Sequence, residues 1–303
     1  MKKIIKAFVE IIIISGLAYY LYENKESFNS ISALKVSDLF LILILILIAN
    51  ILRSAQLSFF VLSLDQKISF IQAFTITVGG TLVNYLPMNA GLFFKAKFLK
   101  KLNVSYTNFA SLNSVDLIAT FISSPIIALI SLSMLKTSIT INYVYIYFPL
   151  ITMLLLSIAL SFFPSKLIDK YDNKIYKTII NYFNSLKKII NNKMVIAFIC
   201  SSVIVRLLIT SFIILKCFTI LGVSMSFFGS NFIATSTSLL TIINITPGGI
   251  GVREAIIGAM STIIGTNFEI GVLVSVIIRI CSLIIHIFFG VPSLLYIRKK
   301  MNV

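Results

Sequence analysis

The chain has 303 residues, of which 58% are hydrophobic and 12% are charged, and its formal net charge is +16. Soluble domains are roughly 45–50% apolar, so an ordinary water-soluble enzyme is not expected. With one histidine and three scattered cysteines, the chain is neither a disulfide scaffold nor a histidine-rich metal site, and we expect no metal and no cofactor. The composition is typical of an integral membrane protein with basic loops.

Apolar stretches recur along the whole chain. The first, Ile4–Tyr22, lacks a small-residue cleavage pattern after it and is predicted to be an anchor helix. Two others, Phe70–Leu86 and Ile250–Ile264, are shorter than the about 20 residues that a crossing needs. We predict an all-α, polytopic helix bundle that forms a single transmembrane domain over residues 1–303. The remaining stretches are Leu39–Leu62, Phe109–Leu135, Tyr143–Phe163, Met194–Leu221, Phe227–Ile245 and Ile270–Ile297.

Three basic clusters predict the orientation in the cytoplasmic membrane, because loops rich in lysine and arginine stay inside. They are Lys95–Lys101, Ser165–Lys193 and Arg298–Lys300. A simple crossing by Phe70–Leu86 breaks the alternation of sides, whereas a re-entrant hairpin preserves it and leaves both termini cytoplasmic. The second short pair of stretches, 227–264, forms either a hairpin open to the outside or two full crossings.

The segment Ser165–Lys193 joins two predicted halves, 39–163 and 194–297. Its apolar residues recur at helical spacing with lysines between them, which predicts an amphipathic helix on the cytoplasmic side. Its lysines either approach anionic lipid headgroups or face water while the helix packs against the protein.

A repeated pattern indicates duplication. Residues 75–91 placed over residues 235–251 share six identities at 17 positions, an offset of 160. Broken helices at matching places in two halves are the sequence sign of a substrate site between inverted repeats. The alternative is a pair of proline-ended helices with glycine caps. The predicted hairpin breaks are Pro87 and Gly91 in the first half, and Pro247, Gly248, Gly249 and Gly251 in the second.

The segment 244–255, Asn-Ile-Thr-Pro-Gly-Gly-Ile-Gly-Val-Arg-Glu-Ala, resembles the signature of the flippase-like membrane domain first recognised in lysylphosphatidylglycerol synthases. The resemblance implies a stand-alone member of that family, which moves a lipid or a lipid-linked headgroup between leaflets. We expect no aminoacyl-transfer activity, since no region remains for the synthase domain.

The first half has a counterpart in that family, usually Asn-x-x-Pro-x-Arg-x-Gly-Glu-x-x-Arg. This chain keeps Asn84, Pro87 and Gly91 of that pattern. It has Asn89, Leu92 and Lys95 where the family usually has Arg, Glu and Arg. These departures remove a charge pair and put any ion-handling mechanism of the family in doubt for this chain.

Ionisable residues lie in or beside the apolar stretches, where each costs roughly 2.5–3.5 kcal/mol on insertion scales. Three predicted helices place polar residues along one face, which predicts a shared hydrophilic interior. Arginine outnumbers acid there, so an anionic, phosphate-bearing lipid is the expected ligand. The residues in question are Arg53, Asp116, Arg206, Lys216, Arg253, Glu254, Arg279 and His286.

We assign no catalytic residue and expect substrate binding by a polar set that converges on the two breaks. Arg206 and Arg279 are the preferred phosphate contacts, while Arg53 reaches toward the interface. Asp116 either pairs with an arginine or, with His286, forms a proton relay; His286 alternatively only packs. Lys216 is expected to extend toward the membrane surface. The candidate substrate-binding residues are Arg206, Arg253, Glu254, Arg279, Asn84, Asn244, Lys95 and Asp116.

We therefore expect a translocator of an anionic lipid or polyprenyl-phosphate-linked substrate rather than an enzyme. Two alternatives remain: a membrane-embedded glycosyl or headgroup transferase, whose base is Asp116 or Glu254, and a non-catalytic scaffold of a cell-envelope lipid or polysaccharide pathway. Nucleic acid is not an expected partner, because the lysines lie where the positive-inside rule places them.

Overall fold

The structure is a computed structural model that describes residues 35–85, 90–135, 151–152, 174–241 and 246–301. Within these ranges the chain forms nine α-helices and one 3-10 turn, without a strand. The predicted helices at Ile4–Tyr22 and Tyr143–Phe163 lie outside the described residues. The helices are α1 (Val36–Leu62), α2 (Phe70–Val83), α3 (Ala90–Lys101), α4 (Tyr106–Met134), α5 (Lys174–Asn191), α6 (Lys193–Ile220), α7 (Phe227–Leu240), α8 (Val252–Ile263) and α9 (Phe268–Met301).

The all-α, polytopic class is confirmed, since α1, α4, α6 and α9 are each long and apolar enough to cross a membrane. One element was missed. The sequence indicated only a basic cluster at Lys95–Lys101, whereas these residues belong to α3, which buries Phe98 and Leu99 against the bundle. The sequence did not predict this helix, because the lysines lower the mean hydropathy of a segment whose inner face is apolar.

The lengths of the helices repeat in order. Helices α1 to α4 contain 27, 14, 12 and 29 residues, and α6 to α9 contain 28, 14, 12 and 34. Residues with a positive φ angle recur in the matching loops. Asp65 follows α1 as Gly222 follows α6, and Asn103 follows α3 as Gly265 follows α8. We call α1 to α4 the first half and α6 to α9 the second half.

The repeat has two offsets rather than the single offset of 160. Helices α6 and α7 begin 157 residues after α1 and α2, and α8 and α9 begin 162 residues after α3 and α4. The second break is therefore five residues longer than the first. The alignment of Thr75 with Thr235 is out of register by three residues, close to one helical turn.

Equivalent helices of the two halves run antiparallel. Asp38, in the first turn of α1, pairs with Lys216, in the last turns of α6, at 2.9 Å. At the other end of the same two helices, the rings of Phe59 and Phe198 lie 4.2 Å apart. Each half also packs its first short helix against the long last helix of the other, α2 on α9 and α7 on α4. This is the arrangement of an inverted repeat.

Each pair of short helices forms a hairpin that returns to the end where it began. Helices of 14 and 12 residues are about 21 and 18 Å long, well under the ~30 Å hydrocarbon layer. Gln72, in the first turn of α2, and Leu102, just after α3, line one cavity. In the second half, Gly229 of α7 lies against Ile264, just after α8. This geometry favours a hairpin over two full crossings for 227–264.

The basic clusters lie at one end of the bundle. Buried Leu64, Leu99, Ile189 and Ile297 belong to one apolar cluster, which brings together the ends of α1, α3, α5 and α9. Tyr182 of α5 donates a hydrogen bond to Ser114 of α4 at 2.7 Å. The described part of this amphipathic segment packs against the protein with its lysines exposed, an arrangement that both alternatives for the lysines share. Among these, Lys187 and Lys188 are both exposed, and Lys188 pairs with Asp65.

Gly91 allows α3 to lie directly on α2 in the first hairpin. A Cβ atom placed on Gly91 would lie 1.9 Å from the carbonyl oxygen of Gly80 and 2.4 Å from Oδ1 of Asn84. Both neighbours belong to the end of α2, so the contact fixes the closure of the hairpin. This accounts physically for the predicted break at Gly91, whereas Pro87 lies outside the described residues.

Replacing Gly91 with alanine should open the first hairpin. The added methyl group meets backbone that has no room to shift, so we expect the free energy of unfolding in detergent to fall by about 2–3 kcal/mol, the upper range for overpacking. Gly79→Ala is the matched control in the same hairpin, since its Cβ would meet the flexible end of Leu294 at 3.3 Å and the ring of Phe94 at an ordinary contact distance of 3.6 Å. Equal stability of the two variants would contradict the close contact.

Candidate functional site

The two breaks meet in the middle of the bundle. The backbone N–H of Gly248 donates to the carbonyl oxygen of Asn84 at 3.0 Å. Gly248 and Gly249 have φ values of 58° and 69°, which glycine adopts without strain. A Cβ on Gly248 would also lie 3.1 Å from the ring of Tyr85. Glycine at 248 thus lets the second break touch the first, while Asn244 lies outside the described residues.

A buried ion pair holds the second break together. Arg279 of α9 donates from Nε to Glu254 at 2.7 Å, and from its two Nη atoms to the carbonyl oxygens of Gly248 and Gly249 at 3.2 and 3.1 Å. The other oxygen of Glu254 accepts from the backbone N–H of Gly251 at 2.7 Å, and Glu254 is only 1% exposed. We call this set the break clamp. It satisfies backbone groups that the broken helix leaves free.

A second ion pair joins three helices. Arg206 of α6 donates to Oδ1 of Asp116 of α4 at 2.8 Å, and Gln56 of α1 donates to the same oxygen at 2.7 Å. Ser202 in turn donates to Gln56 at 3.3 Å. The expected pairing of Asp116 with an arginine is therefore present. Gln56 was not among the sequence candidates, although it follows Asn50 and Arg53 at a spacing of three in an otherwise apolar helix.

A cavity of about 290 Å³ lies between the two halves, and we call it the central cavity. Arg206 is the fourteenth of the 28 residues of α6, so the cavity lies at the middle of the long helices. Its charged lining consists of three arginines and contains no carboxylate. The polar lining residues are Asn50, Arg53, Thr81, Asn84, Tyr85, Arg206, Thr210, Arg253, Ser282 and His286.

A second cavity, of about 230 Å³, is lined only by residues of the first half, and we call it the first-half cavity. Its polar lining includes Arg53, Gln56, Lys95 and Asp116. The stem of Lys95 lies against Gly80, where an added Cβ would be 2.5 Å from Cε. Arg53 lines both cavities and therefore lies between them.

Three interior cations have no carboxylate partner within the described ranges: Arg53, Lys95 and Arg253. The Nε atom of Arg253 is buried without a hydrogen-bond partner. The structure thus ranks the arginines differently from the sequence. Arg279 is committed to the break clamp, whereas Arg53 and Arg253 are available to a ligand.

The residues of the predicted proton relay lie apart. His286 lines the central cavity, with Nε2 3.4 Å from Oδ1 of Asn50, and Asp116 lines the first-half cavity. No hydrogen bond joins the two in the described part of the chain, and a relay through both stays a prediction. Lys216, expected to extend toward the membrane surface, pairs with Asp38 in the first turn of α1.

The site offers few groups for metal or nucleophilic chemistry. No group of three or more His, Cys, Asp or Glu side chains with metal-binding geometry occurs among the described residues. The three cysteines, Cys200, Cys217 and Cys281, are free thiols. Most buried polar side chains of the described interior are serine and threonine hydroxyls, and the charged lining of the central cavity is cationic.

These features define an all-helical membrane protein with two opposed hairpins that meet at a cationic interior. The profile of the family described as Lysylphosphatidylglycerol synthase TM region matches residues 7–290, and the chain belongs to that family. The resemblance at 244–255 is thereby confirmed. No curated protein and no solved structure gives a match.

Replacing Arg279 with methionine should destabilise the protein strongly. Glu254 then loses its charge partner while fully buried, which costs about 3–5 kcal/mol when one member of a buried pair is removed. Thermal and denaturant unfolding in detergent measure this loss, and adding Glu254→Gln should recover part of it. Lys216→Met is the control, because the partly exposed pair with Asp38 is worth at most about 1 kcal/mol. A loss at Arg279 no larger than this would contradict the break clamp.

Proposed function

We propose that the protein moves an anionic phospholipid, or a lipid-linked phosphate, between the two leaflets of the membrane. The observation that carries this proposal is the central cavity, in which two of the three lining arginines, Arg53 and Arg253, form no ion pair among the described residues. A charged side chain within the membrane needs a partner or a wet cavity. An anionic headgroup that enters the cavity supplies that partner.

The arginines suit a phosphate group. A guanidinium presents several N–H donors in a planar fork that matches phosphate oxygens, and it stays charged when water is removed. Arg53 is exposed at the cavity, and the buried Nε atoms of Arg206 and Arg253 have no hydrogen-bond partner. The headgroup would occupy this polar space while its acyl or prenyl tail stays in the surrounding lipid.

The inverted packing of the halves supports a transport role. Antiparallel equivalents such as α1 and α6 allow two related conformations, one open to each side, around a fixed site at their interface. The site lies where the two breaks touch, through Gly248 and Asn84. The sequence carries no phosphate-binding loop for ATP, so movement would be downhill or coupled to the membrane potential or to protons.

The transferase alternative is less well supported by the geometry. A general base needs a carboxylate that is free to accept a proton from the substrate. Glu254 already accepts from Arg279 and from the backbone of Gly251, and Asp116 accepts from Arg206 and Gln56. A scaffold role does not explain the unpaired arginines. The translocation assay distinguishes a scaffold from a translocator.

We also propose that the basic end of the bundle, with both termini, faces the cytoplasm of the cell. The support is the positive-inside rule together with the convergence of α1, α3, α5 and α9 ends in one cluster. There the exposed lysines of α3 and α5 would approach anionic headgroups.

Labelling should establish this orientation. With the three native cysteines replaced by alanine, a cysteine introduced as Lys187→Cys should react with a membrane-impermeant maleimide only in inside-out vesicles. A cysteine introduced as Gly222→Cys, in the loop after α6 at the opposite end, should react only in right-side-out vesicles. The reverse pattern would overturn the proposed orientation.

Translocation is tested in vesicles that contain the purified protein and labelled phosphatidylglycerol or polyprenyl phosphate. We expect accelerated exchange of both between leaflets, and a loss of about ten- to a hundredfold for Arg53→Gln or Arg253→Gln, since a charged hydrogen bond is worth about 1.5–3 kcal/mol. Arg298→Gln, at an exposed arginine of α9, should retain the full rate. Labelled diacylglycerol, which has no phosphate, controls for leakage. Folded protein that accelerates neither lipid would exclude translocation and favour a scaffold.

A further inference from the structure

Two neighbouring cavities of the described interior adjoin at Arg53, and we call them the two chambers. The central cavity of about 290 Å³ and the first-half cavity of about 230 Å³ share Arg53 as a lining residue. At about 30 Å³ per water molecule, each has room for several waters or for one hydrated phosphate group. One bound phosphate would occupy one chamber and leave the other with its own cation.

The charges are divided between the chambers. Once Arg206 pairs with Asp116 and Arg279 with Glu254, three cations remain in the described interior. Arg253 belongs to the central cavity, Lys95 belongs to the first-half cavity, and Arg53 lies between them. A single phosphodiester carries one negative charge and leaves two of these cations uncompensated. Two phosphate groups carry two or three negative charges between them, which compensate two or all three of these cations.

Asp116, the acid of the first-half cavity, forms an ion pair with Arg206 and none with Lys95 in the described structure. The carboxylate of Asp116 receives hydrogen bonds from Arg206 and Gln56 at 2.8 and 2.7 Å. It therefore stays with the partners that join α1, α4 and α6. The Lys95 ammonium is a compact point charge that needs a separate anion.

We propose that the headgroup of the substrate carries two phosphate groups, one in each chamber, with Arg53 between them. This inference rests on the proposed function and names its substrate class. A lipid diphosphate and a lipid with two separate phosphodiesters share this chemistry. The arginines of the central cavity bind the first group, and Lys95 with Arg53 binds the second.

The test compares three probes on the purified protein in lipid nanodiscs: polyprenyl phosphate, polyprenyl diphosphate and cardiolipin. We expect at least one of the two-phosphate probes to bind about tenfold more tightly than the single-phosphate probe. The better of the two identifies whether linked or separate phosphates fit. Equal affinity for all three would overturn the inference.

Variants distinguish a failure of this inference from a failure of the proposed function. Lys95→Gln, or Lys95→Met, which keeps the stem against Gly80, should lower the ratio of two-phosphate to single-phosphate affinity about tenfold. Arg253→Gln should weaken both classes, and Lys97→Gln, at an exposed lysine of the same helix, should change neither. If Lys95 variants weaken both classes equally, the second chamber is not a phosphate site, although translocation still stands. If no probe binds or crosses, the proposed function itself fails.

Discussion

The constraint on which the structure depends is that broken backbone inside a membrane must find hydrogen-bond partners within the protein. The chain interrupts two hairpins at mid-bundle, where no bulk water is present to satisfy free N–H and C=O groups. In the second half, the break clamp meets this need with one guanidinium and one carboxylate that together contact three backbone groups. A charged pair is expensive to bury. Here backbone groups bind the other oxygen of Glu254 and both Nη atoms of Arg279.

In the described part of the first break, close packing takes the place of the ion pair. The offset of 162 that relates α3 to α8 places Leu92 at the position of Glu254. No acid is therefore present at that position, and Gly91 instead brings α3 into direct contact with the end of α2. The two halves share a backbone plan but differ in charge. This asymmetry leaves Lys95 without an ion pair in the described structure and gives the first half the greater share of unpaired positive charge.

Sequence patterns predicted the helices well where a single physical cause sets them. Hydropathy placed the start of α2 at Phe70 and that of α7 at Phe227, and glycine at 248 and 249 marked the second break. The positive-inside rule required a re-entrant first hairpin, and the convergence of Leu64 and Leu99 agrees with it. Helix α3 was not predicted, because its exposed lysines lower the mean hydropathy of a segment whose buried face is apolar.

The choice of partner for each arginine was beyond the sequence. Arg279 and Arg253 both follow polar spacing, yet only the packing of α9 on α8 decides which of them reaches Glu254. Likewise, Arg53 interrupts the apolar stretch Leu39–Leu62, and the packing of the helices around α1 makes it a lining residue of both cavities. Such pairings depend on residues far apart in sequence, which periodicity along one helix does not report.

The pairing also decides what the interior can recognise. An arginine bound to a carboxylate and to backbone carbonyls, such as Arg279, has little left to offer a ligand, however central its position. Cations whose acids are missing keep their donors available and raise the free energy of the empty interior, which an anion then lowers. Under the proposed function, selectivity for an anion would originate in absent carboxylates, at Leu92 and in the lining of the central cavity, as much as in the arginines themselves.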